Sequence, residues 1–414
     1  MDTIINVPAI WALVTAAVLI GVILRGVRGA IGSPSEQVEG MFTGSASLCE
    51  VLVPVSGRSS NQELALTTLL TQDHPNYRVL FIVESEDDPA DSMVERLCET
   101  YGSGRKVLSG PALSCGQKNH NLIAGINQLK PDTEIIVFCD SGNIADPGWL
   151  RRLTRPLEAK PEVVVTTFRD FNPTPATIGG VCQAIYGSLL LVLPRIRPSP
   201  WGGATAMNRE TLEELDVIEA WSKTVVDDVV LGRLLYERGI PMILDRANRL
   251  DSPLRDQTVQ GFLSYLRRQI LFPKFIEPAL WLGPMIFHLN LTLATLWALF
   301  SALALPCGAV SAWTGSSGWA FLLCQIAAAM ILRKTNRHRI SLARWMTALY
   351  PCIFFGAVVF LGSIFSREIA WAGRRYFLGR KGRVIGVQSA SSLKRGGESD
   401  NTVQPHIVKR HHEK

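Results

Sequence analysis

A chain of 414 residues has room for one large domain or two smaller ones, and 47% hydrophobic residues with a mean hydropathy of +0.17 point to a membrane component. The net charge of +6 is confined to the end: residues 367–414 carry eleven Lys and Arg against four acids, +7, leaving −1 before them, which favours anionic lipid over nucleic acid as a partner. Eight cysteines without a C-x-x-C pair or zinc-like spacing argue for reduced thiols and against a zinc ribbon.

The run from Val7 to Leu24 has the length to cross a bilayer and is followed by Arg25 and Arg28. Basic residues after the apolar run, and none before it, argue against a cleaved signal peptide. They predict the N-terminus outside and the next domain in the cytoplasm.

That domain, from about Cys49 to Phe272, reads as α/β. Strand-like runs at Leu48 to Val55, Val79 to Val83 and Glu134 to Cys139 alternate with helix-like segments at Gln62 to Thr71, Ala90 to Tyr101 and Gln117 to Gln128. The alternation implies a sheet with parallel pairs and crossover helices. No Gly-x-Gly-x-x-Gly or Walker A pattern follows a strand, which disfavours dinucleotide and P-loop chemistry, and no solenoid repeat is visible.

Polar residues cluster where the strands end. The turn Glu84-Ser85-Glu86-Asp87-Asp88-Pro89-Ala90 gives Asp88 the role of a helix cap before Pro89 and leaves Glu84, directly off its strand, for ligand contact. Lys118, in Gly116-Gln117-Lys118-Asn119-His120, opens a helix and can hold a phosphate beside its free N–H groups; a solvated lysine is the alternative. His120 reads as a surface or capping residue. Asp140 ends the strand Glu134 to Cys139 and points into the crevice where open α/β sheets bind ligands, although a turn or cap residue looks the same.

Further on, Trp201-Gly202-Gly203 combines an indole face suited to a sugar or lipid with glycines that let backbone approach a ligand. Asp227 and Asp228 sit together at an otherwise apolar helix start. One can cap the helix; the other can act as a general base tuned by its neighbour. The segment Val259 to Leu271, continuing through Phe272, Pro273 and Phe275, is suited to lie amphipathically at a membrane surface.

Ala279 to Leu305 and Gly318 to Leu332 form two more spans, and the basic loop Arg333 to Arg339 after them belongs on the same side as the α/β domain. Trp345 to Phe365 conflicts with this, because a full crossing would place the +7 tail outside. Pro351, Gly356 and Gly362 offer places to bend, so a re-entrant or interfacial hairpin is expected. The parts are then an anchor at 1–30, a catalytic domain at 45–272, a membrane region at 273–366 and a basic cytoplasmic tail at 367–414, disordered beyond about Gln388.

Taken in order, these motifs resemble the GT-A-fold glycosyltransferases of family 2, and more closely the ceramide glucosyltransferases of family 21. The resemblance runs from about Val51 to Phe272 and resumes at Ile369-Ala370-Trp371-Ala372-Gly373-Arg374-Arg375-Tyr376. It implies a Rossmann-like mixed sheet, a nucleotide-sugar donor and a membrane lipid acceptor. Glu84 takes the place of the first family aspartate, Asp140-Ser141-Gly142 matches the second as Asp-Ser-Gly, and Asp228 matches the third, the catalytic base. Lys118 matches a donor-facing lysine. Asp140, as the single metal ligand, would hold Mg²⁺ or Mn²⁺, with Arg267 or Arg268 helping to bind the donor. Trp201, Gly202, Gly203 and Asp227 are expected to line the acceptor side.

The chain departs from the family at the signature Gln or Arg, two residues, Arg-Trp. It keeps Arg268 but has Leu271 and Phe272 where Arg and Trp are expected. That departure argues against a processive polysaccharide synthase. A polyprenyl-phosphate sugar transferase remains an alternative, while the presence of both Asp140 and Asp228 opposes a non-catalytic scaffold.

Overall fold

The computed structural model describes residues 6–31, 47–193, 197–338 and 340–389. In chain order the first elements are α1 (Val7–Ile31), β1 (Cys49–Pro54), α2 (Gln62–Leu70), β2 (Tyr77–Val83), α3 (Asp91–Tyr101), β3 (Gly104–Leu108), α4 (Gln117–Ile126), β4 (Ile135–Cys139) and α5 (Trp149–Ala159). There follow β5 (Val164–Thr166), β6 (Arg169–Thr174), α6 (Ile178–Val192), β7 (Ala204–Asn208), α7 (Arg209–Leu215), α8 (Val217–Trp221), α9 (Asp228–Arg238), β8 (Met242–Leu244) and β9 (Leu250–Arg255). The last are α10 (Val259–Ile276), α11 (Pro278–Ala304), α12 (Ala312–Arg333), α13 (Leu342–Ile364), β10 (Glu368–Trp371), β11 (Arg374–Leu378) and β12 (Val384–Ser389).

A seven-stranded mixed sheet in the order β3-β2-β1-β4-β7-β5-β8 forms the centre; β7 alone runs antiparallel to its neighbours. Strand β4 is buried at all five positions, the continuous apolar pattern of a sheet covered on both faces. Alternation divides its side chains. Ile135, Val137 and Cys139 join a core that reaches the apolar helices, while Ile136 and Phe138 join a second core under α8, α9 and the C-terminal strands.

Among the described residues, four helices are long and apolar enough to cross a membrane: Val7–Ala30, Pro278–Ala304, Ala312–Arg333 and Leu342–Ile364. All eight cysteines are free thiols. The basic loop after α12 folds onto the α/β domain, with His338 Nε2 3.1 Å from Asp251 and the Thr335 carbonyl accepting from Arg249 at 2.7 Å.

Three expectations need correction. Helix α3 starts at Asp91, and Asp88 does not cap it; its carboxylate accepts the N–H groups of Gly57 (2.8 Å) and Ala90 (2.9 Å), tying the β1 and β2 loops together. No hairpin forms at residues 345–365: α13 is one continuous helix of 23 residues that accommodates Pro351. Gly356 serves packing there, since a Cβ would collide with Tyr186 Oη and His288 Nε2. Both ends of α13 meet the catalytic side, through Arg344 to the Ala176 carbonyl (2.8 Å) and through the Ile364 and Ser366 carbonyls to Lys274 Nζ (2.9 and 2.8 Å).

Finally, residues 368–389 are not a tail but an antiparallel sheet, β10-β11-β12, in which Ile369 and Tyr376 are buried in the second core. The expected disorder further along falls on residues outside those described.

Candidate active site

The parallel strands β1, β2 and β4 end along one edge, and three loops converge there. The register pairing Cys139 with Ala204 sets the next residues, Asp140 and Gly203, side by side, with the Asp140 N–H donating to the Gly203 carbonyl at 3.2 Å. The α4 start is stitched to the loop before α9: Gly116 N–H donates to the Thr224 carbonyl (2.9 Å), and so does Asn119 Nδ2 (3.0 Å). Gly116 is required for this approach, because a Cβ would overlap the Val225 carbonyl.

Lys118 sits where the loops meet. Its Nζ lies 2.8 Å from Asp140 Oδ1 and 3.0 Å from Asp227 Oδ2, and donates to the Gly202 carbonyl at 3.2 Å. Three partners saturate an ammonium. Burial alone would lower the Lys118 pKa, but Asp140, Asp227 and Asp228 overcome it and hold the side chain charged. Burial likewise opposes ionisation of Asp140; Lys118, Arg169 and Arg268 override it and lower its pKa.

Asp228 behaves oppositely. Burial and the neighbouring charge of Asp227 raise its pKa from 3.8 to about 7 against the opposing pull of Lys118. Asp227 occupies the N-cap position of α9 but turns its side chain to Lys118, while Asp228 Oδ1 accepts the Val229 N–H at 2.7 Å.

Of the residues expected from sequence, the structure brings together Lys118, Asp140, Gly202, Gly203, Asp227 and Asp228, with Arg268 near enough for its charge to act on Asp140. Glu84 stands at the end of β2 but is engaged by Arg374, Oε1 to Nη2 at 2.6 Å. Arg267 is not in the site; it is exposed and donates to Ser366 Oγ at 3.2 Å. His120 accepts its structural role by bonding the Ser109 carbonyl at 3.0 Å.

The acceptor-side expectations change most. Trp201 does not offer an open indole face: it is 8% exposed, edge-on to Phe168 at 5.5 Å, with the Arg169 guanidinium 5.0 Å from its ring centre. Gly202 and Gly203 accommodate protein rather than a visible ligand cleft. A Cβ on Gly202 would collide with Asp227 Oδ2, and one on Gly203 would lie 2.6 Å from Asp140 Oδ2. Asp227 is itself 3% exposed and committed to Lys118.

Arg169 escaped the sequence reading, since a single arginine opening a strand carries no local signal. Leu271 and Phe272, where the family carries Arg and Trp, are buried packing positions against the C-terminal sheet.

The sequence profile described as glycosyl transferase family 21 matches residues 10–384, nearly the whole chain. The chain belongs to that family. It is a membrane-associated glycosyltransferase dependent on a nucleotide sugar, with a GT-A-like α/β core between long apolar helices. Similar solved structures include the mannosyltransferase PcManGT from Pyrobaculum calidifontis, in complex with GDP-Man and Mn²⁺, at 18% identity and TM-score 0.46, covering 86% of this chain and 99% of that one. GalNAc-T7, solved with UDP, GalNAc and Mn²⁺, aligns at 10% identity and TM-score 0.39 over 53% of this chain and 48% of its own. The family membership rests on the profile alone.

Among the described residues no three His, Cys, Asp or Glu side chains are grouped to hold a metal in this family 21 enzyme. A one-carboxylate site nevertheless fits a hard cation that keeps its waters and takes phosphate oxygens. Asp140, whose side chain stays 31% exposed, supplies that carboxylate.

Proposed function

We propose that the enzyme transfers a hexose from a UDP-glucose-like donor to the hydroxyl of a membrane lipid, such as a ceramide, a diacylglycerol or a hopanoid, with inversion at the anomeric carbon. The observation that carries this reading is the path of α10. Arg268, whose charge acts on Asp140, precedes the start of apolar α11 by ten residues, about 15 Å at helical rise. A site so close to apolar helices suits an acceptor that stays in the bilayer. The arginines after the first span favour a cytoplasmic catalytic domain.

In the reaction, Asp228 takes the proton of the acceptor hydroxyl as that oxygen attacks the anomeric carbon from the face opposite the diphosphate. The bond from that carbon to the phosphate oxygen breaks, and its electron pair leaves with the nucleoside diphosphate. Lys118, Arg169 and Arg268 place positive charge beside Asp140, where the departing phosphates gain negative charge. A pKa near 7 suits Asp228 to a base at neutral pH. Asp140 would hold Mg²⁺ or Mn²⁺, which supplies further Lewis-acid stabilisation of the diphosphate.

Membranes containing the enzyme, incubated with labelled UDP-glucose, UDP-galactose, UDP-N-acetylglucosamine and GDP-mannose, should yield a lipid bearing one sugar by mass spectrometry, with the β linkage read from its anomeric proton coupling. Asp228→Asn should reduce turnover by about 10²- to 10⁴-fold and leave nucleotide binding nearly intact. A polymeric product, no lipid product with any donor, or an Asp228→Asn variant with ordinary turnover would each overturn the proposal.

A further inference from the structure

The sheet β10-β11-β12 lies far in sequence from the strand ends, yet it touches the donor side at several points. Arg374 pairs with Glu84, and Tyr376 Oη accepts the Gln117 N–H at the start of α4 at 3.3 Å. The Val384 N–H donates to the Lys223 carbonyl at 2.8 Å, anchoring β12 to the loop before Asp227. At the end of β10, Trp371 lies 5.5 Å from the Arg268 guanidinium and edge-on to Phe272 at 5.6 Å.

The last contact matters because of what else surrounds Arg268. Among the described residues, no hydrogen bond or ion pair within 4 Å fixes this guanidinium, which feels both the like charge of Arg169 and the opposite charge of Asp140. Unsupported, so long a side chain would swing toward solvent. An aromatic face attracts a guanidinium and removes that freedom without neutralising its charge.

We infer that Trp371 is a positioning residue: its indole holds Arg268 toward Asp140 against Arg169, so the C-terminal sheet sets the affinity for a nucleoside diphosphate. The inference rests on the reading that the Asp140 edge receives the donor. Phe272 and Trp371 pack as one unit beneath the arginine. This explains why a segment beyond the last apolar helix folds back over the catalytic domain.

The test is calorimetry on the full-length protein in detergent, titrated with UDP, GDP and CDP in the presence of Mn²⁺; the tightest binder is then used for the variants. Trp371→Leu and Trp371→Met, which both lack a ring, should weaken binding on the order of tenfold, the worth of a partly desolvated cation–π contact. Trp371→Phe should stay within about twofold of wild type. In an Arg268→Met background, removing the indole should add less than about twofold, since the group it positions is gone.

If Trp371→Leu does not fold, Trp371→Met decides, because the unbranched methionine adapts better to the space the indole leaves. Undiminished binding in the ringless variants, equal losses in the two backgrounds, or a Phe variant as weak as the Met variant would overturn the inference. If the wild type binds no diphosphate, the donor-site reading falls and takes the inference with it.

Discussion

Lys118→Met is the most direct probe of the cluster, because it removes a charge and keeps most of the side-chain volume. The variant leaves Asp140 and Asp227 facing each other with the cation gone, and the side chain of Asp227 is only 4% exposed. Deleting one member of a buried, hydrogen-bonded ion pair costs about 3–5 kcal/mol, because the remaining charge has no partner. At roughly 2–4 °C per kcal/mol for a domain of this size, thermal unfolding should fall by about 10 °C near pH 7.5. The sign of the pH dependence follows from Asp140, whose pKa is lowered in the folded enzyme. Its stabilisation is present above the ordinary carboxylate pKa and is lost as pH falls through the lowered value. In the variant that lowering is replaced by mutual repulsion, so a proton is taken up on folding and the deficit grows with pH. Near-UV circular dichroism melts of detergent-solubilised protein at pH 5 and 7.5 measure both effects. A loss under about 1 kcal/mol, or a deficit that does not change with pH, would refute the reasoning.

Asp228 with a pKa of about 7 should give kcat/KM a rising acid limb near neutrality, and Asp227→Asn should move that limb to lower pH by removing the charge that raises it; an unmoved limb would assign the titration to another group. Because α13 meets the catalytic side at both ends, a tag placed after residue 389 should share the catalytic domain's side of the membrane. Protease protection of sealed vesicles checks this, and a tag protected oppositely to the catalytic domain would mean that α13 crosses.

The sheet and its functional edge were legible because parallel strands buried on both faces announce themselves. The run Ile135 to Cys139 is apolar without interruption, so the first carboxylate after it must mark a strand end. Lys118 was legible for a similar reason, as a cation opening a helix. The residues around them were not, because their roles depend on distant partners. Trp201 looks available in sequence and is covered by Arg169, which the start of β6 delivers from elsewhere. Residues 374–383 flank the apolar run Tyr376-Phe377-Leu378 with bases and read as a lipid-facing tail; only the placement of Glu84 and Gln117 shows that Arg374 and Tyr376 are internal contacts. In α13, Pro351 and Gly356 suggest bends, whereas packing against Tyr186 and His288 uses the glycine for close approach.

Arg267 and Arg268 show how much of this turns on helix geometry. Successive residues on a helix point about 100° apart, so only one of two adjacent arginines can face the strand ends. Arg268 turns to Trp371, within reach of the Asp140 charge; Arg267 turns to Ser366, at the end of α13. Two turns on, Lys274 holds the carbonyls that end α13, and Ile276 packs against Gly382 beneath the C-terminal sheet. One helix therefore joins the donor side, the apolar helices and the returning sheet, each along a different stripe. Substitutions along α10 should accordingly separate by face rather than by distance in sequence, with changes facing Asp140 acting on the donor and changes facing α13 acting on the seat of the domain at the membrane.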